Sequence, residues 1–136
     1  TGFDDWALGI TNAAQRGFGD DGDGDGDANL WEYSQGTDPN DPASRSKPTL
    51  IRTNGNQFIR FRRATNAVDL VLHVEAVYAL TTGPGWNSIA SNAFGTGWEG
   101  DAATDESPTG AVRQVTAENN DPGAAARALR VRVERP

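Results

Sequence analysis

Five aspartates, Asp20, Asp21, Asp23, Asp25 and Asp27, fall within the nine residues GDDGDGDGD that begin at Gly19. Like charges about 4 Å apart repel by about 1 kcal/mol even in water, so this density needs a counter-charge. The chemistry that suits it is the binding of a hard divalent cation. A calcium loop of the EF-hand type needs side-chain oxygen at loop positions 1, 3, 5, 9 and 12, a backbone carbonyl at 7 and glycine at 6. Counting from Asp21 gives Asp21, Asp23, Asp25, Gly26, Asp27, Asn29 and Glu32, and every position is filled. Counting from Asp23 puts Ala28 where glycine is needed and Ser34 where a bidentate carboxylate is needed. Only the first register works.

A run of charge is ordinarily a solvated linker. Here Asn29 and Glu32 also land on ligand positions, with apolar Leu30, Trp31 and Tyr33 between and beside them. An all-oxygen donor set without Cys or a nearby His favours Ca2+ over zinc or copper, and calcium's loose coordination of six to eight oxygens fits better than magnesium's strict octahedron. One ion is expected. Asp20, Asp38 and Asp41 are candidates for a second ion, although Asp38 and Asp41 read as easily as turn residues before proline. Glycines on either side of Phe18 break the incoming helix, and Ala28 stands where paired EF-hands place a β-forming residue, so the loop reads as solitary.

The elements that must position these groups divide the chain in two. Residues 1–46 read as an N-terminal helix from Thr1 to about Arg16, then the acidic loop, a short helix NLWEYSQ stopped by Gly36, and a turn-rich linker TDPNDPAS. In the first helix Trp6, Ile10 and Ala14 share a face, Thr1 and Asp4 resemble a capping box, and Gly9 weakens it. Residues 47–136 read as strands. TLIRT and QFIRFRR flank Asn-Gly, a hairpin signal. DLVLHVEAVY alternates, with Leu70, Leu72, Val74 and Ala76 on one side and His73 and Glu75 on the other. Further strands are expected over 86–90, 111–117 and 127–134. About six short strands joined by Gly-rich connections predict a mainly β fold, an antiparallel β-sandwich of immunoglobulin or jelly-roll type.

Composition narrows the function. Net charge is −7, and residues 1–45 hold ten acidic groups against Arg16 and Arg45, so the acidic excess sits around the loop. Nucleic-acid binding would need the opposite sign. No apolar run is long enough to enter a membrane. With no cysteine there are no disulfides, thiolate sites or cysteine catalysis, and a chain without Met reads as a processed form or an excised piece. A lone histidine, His73, and the lack of a nucleophile elbow, phosphate loop or zinc-ligand set predict a protein that is not an enzyme.

DGDGDGDANLWEYSQGTDPNDPAS resembles the bacterial thrombospondin-type-3-like and dockerin-like calcium motifs, with their Asp-rich loop, helix and GTDP exit. FDDWALGI, then this motif, then a β-rich segment ending LRVRVERP, resembles modules of secreted surface proteins of planctomycete and verrucomicrobial bacteria. In the β part Val74, Glu75, Leu80 and Trp86 match that pattern, while Val77 and Ala79 replace its Ser and Asp. The resemblance implies an extracellular or cell-surface location, calcium-dependent order and no catalysis.

Two uses follow as expectations. The first is a structural protein whose ion stiffens the acidic segment, self-assembling into a filament or surface layer, or joined to neighbouring surface proteins. The Trp6/Ile10 face or an edge strand would meet the neighbour, and Arg52, Arg60, Arg62, Arg63, Arg130 and Arg132 would give one sheet a basic face for another copy's acidic segment. The second is an adhesion or glycan-binding module. The Gly-rich stretch 94–110 reads as a loop, with Trp98 offering a flat face to a sugar and Glu99 and Asp101 accepting its hydroxyls.

Overall fold

Along Asn56–Ala64 the side chains of Gln57, Ile59, Phe61 and Arg63 are buried, while Arg60 and Arg62 face solvent. This period of two is what a half-covered strand demands. The computed structural model describes residues 2–78, 86–100, 102–119 and 126–136. Its strands are β1 (Thr49–Thr53), β2 (Asn56–Ala64), β3 (Val71–Tyr78), β4 (Asn87–Ala93), β5 (Trp98–Glu99), β6 (Ala103–Glu106), β7 (Val112–Glu118) and β8 (Ala126–Glu134). They form two antiparallel sheets, ordered β1-β2-β7-β6 and β5-β4-β3-β8. Thr53 and Asn56 close the β1–β2 hairpin, with Asn54 at φ 51° and Gly55 at φ 80°, the left-handed pair that a tight two-residue turn requires.

The sheets face each other across one core. Ile59, Phe61, Val115 and Ala117 come from the first sheet, and Val74, Ala76, Ile89, Ala90 and Leu129 from the second. The expected inward row Leu70, Leu72, Val74 and Ala76 is buried. A second cluster joins Phe3, Ala7, Ile10 and Tyr33 to Ala64, Ala67 and Leu70, so the N-terminal segment packs directly on the sandwich. Asp69 reinforces this junction. It accepts hydrogen bonds from the Phe3 amide (2.9 Å) and the Tyr33 hydroxyl (2.6 Å), and Arg135 lies 3.6 Å from it. Among the described residues no helix is long and apolar enough to cross a membrane.

Several local expectations change. The first helix, α1, spans only Phe3–Ala7, and a separate 3-10 turn covers Ala13–Gln15. Gly9 lies past its end, where the entropic cost of glycine in a helix opposes continuation. Trp6 and Ile10 pack on this chain's own second cluster, whereas Ala14 is exposed. The first cap of α1 is Gly2 at φ 67°, and Thr1 lies outside the described residues. The stretch 94–110 is not one long loop, since it contains β5 and β6. The six arginines do not share a face. Arg60 and Arg62 lie on the outer side of the first sheet, Arg52 and Arg63 on its inward row, and Arg130 and Arg132 on the outer side of the second sheet, bonded to Glu75.

Candidate metal centre

The acidic loop is shaped by its own carboxylates. Asp21 accepts hydrogen bonds from the amides of Gly24 (2.8 Å), Asp25 (3.2 Å) and Gly26 (2.8 Å). Asp23 accepts from the Asp25 amide and Asp25 from the Asp27 amide. Gly26 has φ 94°, a conformation side chains resist, which explains glycine at the sixth loop position. The loop's ends are pinned where it enters helix α2 (Asn29–Gln35), by Asn29 N–H to the Asp20 carbonyl and Leu30 N–H to the Phe18 carbonyl.

Helix α2 is fixed to the sandwich. Its last turn is closed by Gly36 in the left-handed conformation, where an added Cβ would meet Val112 at 2.5 Å. The Gln35 carboxamide oxygen accepts from the Arg62 amide of β2, Tyr33 bonds to Asp69, and the Trp31 indole N–H donates to the Ser46 carbonyl at 2.8 Å. Glu32 sits on this anchored helix, near enough to feel the charges of Asp23, Asp25, Asp21 and Asp27 but outside the cluster that three of them form.

Asp21, Asp23 and Asp25 each bring an oxygen within 4.8 Å of the others, a cluster able to hold a metal ion. Glu32 is fully buried, and neither of its carboxylate oxygens has a hydrogen-bond partner. The Asp23 Oδ2, Asp25 Oδ2 and Asn29 Oδ1 atoms are likewise buried and unpartnered. Asn29 spends its amide hydrogens on the Gln15 and Gly17 carbonyls, both at 2.8 Å, leaving only its oxygen free. Burial, followed by the charges of Asp23, Asp25, Asp21 and Asp27, pushes the Glu32 carboxyl up to about 8. Burial also raises Asp23, whereas the Gly26 amide chiefly lowers Asp21. Buried oxygens without donors cost several kcal/mol unless a cation satisfies them, on the order of 1–3 kcal/mol each and more for charged groups. The donors left open are all hard oxygens, which fits a hard cation.

Asp27 differs from its neighbours. Its carboxylate is taken by Arg45, at 3.2 Å and 3.5 Å, so its backbone carbonyl is what the seventh loop position can offer. Arg45 also lies 3.9 Å from Asp25 Oδ2. Arg45 was not foreseen as part of this site; its only sequence signal is that it is one of two cations among the first forty-five residues. Asp20, Asp38 and Asp41 each cap a local turn, accepting from Gly17, Asn40 and Ala43 amides, and they form no metal-binding group among the described residues.

Of the candidate sugar-binding residues, Trp98 and Glu99 are described. Trp98 packs against the sandwich core, edge-on to Phe61 with ring centroids 5.7 Å apart. Glu99 is exposed, and Asp101 lies outside the described residues. His73 bonds to Glu134 at 2.9 Å on the outer side of the second sheet. Comparison with family models, curated proteins and solved structures finds no match to this chain.

Proposed function

We propose that this protein is a non-catalytic structural module of the bacterial surface or exterior, held in shape by one calcium ion bound between Asp21 and Glu32. The observation that carries this reading is Glu32: a fully buried carboxylate with two open oxygens, facing three aspartates from a helix bolted to the sandwich. Asp21, Asp23, Asp25 and Glu32 would supply carboxylate oxygens, Asn29 its amide oxygen and Asp27 its carbonyl. When bound, the ion supplies charge neutralisation and cross-links loop to helix. Extracellular calcium modules bind at about 10⁻⁴–10⁻³ M, a range filled outside cells rather than within them. The module would then link copies of itself or neighbouring surface proteins, in a filament or an adhesive layer.

Isothermal titration of the EDTA-treated, dialysed protein with calcium tests this directly. One ion per chain is expected, with no comparable binding in Glu32→Gln. Silent titrations at millimolar calcium, with the melting temperature equal in calcium and EDTA, would refute it.

A further inference from the structure

The two sheets do not end together. Leu50 of β1 is paired with Ile59 and therefore points inward, yet it is 52% exposed while Ile59 is 1% exposed. The reason is topological. β8 is the last strand of its sheet on this side, and its Leu129 and Val131 pack across from Ile59 of β2. In this order β8 stands across from β2, and among the described residues it pairs only with β3. The first sheet thus overhangs the second by one strand.

The space under the overhang is an open groove of about 510 Å³, within the range of about 300–1,000 Å³ that holds ligands. Leu50, Ile59, Leu129 and Val131 form its apolar lining, and Trp31 closes one end with its ring fixed by the bond to Ser46. Its β8 edge, unpaired on this side among the described residues, matches a strand. A segment added beside β8 would satisfy backbone groups that have no strand partner on that side among the described residues, and send alternate side chains onto Leu50. Charge defines the segment further. Lys47 lines the groove and Arg52 follows Leu50 on the same inward row; among the described residues neither is paired with a carboxylate. Asp27, which also lines the groove, is paired with Arg45.

We propose that this groove docks an extended acidic segment of another protein, which joins the second sheet as a strand beside β8, with apolar residues on Leu50, Ile59 and Leu129 and carboxylates on Lys47 and Arg52. The proposal stands on the sheet edges and does not need the ion.

The test uses ¹⁵N-labelled full chain in calcium and two acetylated seven-residue peptides, one with alternate valines between terminal glutamates, the other with lysines replacing the glutamates. The glutamate peptide should shift the amides of residues 50–52 and 129–131 and slow exchange along β8. Lys47→Glu with Arg52→Glu, both at exposed positions, should weaken it at least tenfold and reverse the preference between peptides. Leu50→Asp should abolish binding of both. No perturbation at millimolar peptide would overturn the proposal, as would equal affinity for both peptides. Concentration-dependent protection of β8 in the protein alone would overturn it too, by making a second copy the occupant.

Discussion

Glu32 in the acidic loop and Glu106 in the sandwich are both carboxylates withdrawn from water, and the fold treats them in opposite ways. At Glu106, burial opposes ionisation, but Arg63 at 2.6 Å outweighs it, helped by Arg113, and holds the carboxyl below its usual range. Glu75 is handled alike, with Arg130 and Arg132 overcoming the effect of burial. Glu32 meets burial and four aspartates, with no cation bonded to it, and its carboxyl moves up instead. The sandwich carries its own counter-charges as arginines. The loop has Arg45 on Asp27, and among the described residues no cation is bonded to Glu32.

The largest effect that sharpens this contrast is calcium-dependent stability. At a hundredfold excess over Kd, an ion bound only by the folded state contributes about 2.7 kcal/mol, a rise in Tm on the order of 10 °C. Glu32→Gln should erase that rise in calorimetry; a variant that kept it would break the comparison. Next comes Arg63→Ala, which leaves Glu106 with the more distant Arg113 alone. It should cost about 2 kcal/mol in urea unfolding, by the same amount in calcium and in EDTA. A calcium-dependent loss would show that the two regions are not separate in this respect.

A smaller effect should appear with acid. Glu75 and Glu106 have folded-state acidities stronger than the ordinary value of 4.5. Their contribution is therefore complete above about pH 4.5 and lost as pH falls below it, through the folded-state values. Unfolding measured from pH 6 down to pH 3 should lose stability in that window, and Glu75→Gln should flatten the slope; an unchanged slope would remove Glu75 from the account. Smallest is Trp31→Phe. It removes the hydrogen bond to Ser46 and should cost about 1 kcal/mol while leaving the calcium-dependent rise in place, which the same calorimetry would read.

Much of this was legible in the sequence because it is local. The loop register from Asp21 to Glu32 follows from residue types at fixed spacing, and the β1–β2 hairpin from Asn54-Gly55 between alternating segments. Gly36 marked the end of α2 correctly. What was missed depends on partners distant in the chain. β5 and β6, two and four residues long, have too little alternation to stand out, and they exist because β4 and β7 pair with them. Arg63 reads as a surface cation until Glu106, forty-three residues away, is placed beside it. Trp98 reads more readily as a core ring than as a binding face, and the choice is made only when Phe61 is brought beside it. Arg45 becomes part of the ion site only because the linker turns back onto the loop.

The three amides gathered by Asp21 carry one more implication. They bend the backbone of the loop onto one of its own carboxylates, so bonds within the chain offset part of the entropy cost of ordering this segment. Under the proposed function such a part would serve as a rivet, set once by its ion, rather than as a sensor that reports how the concentration varies.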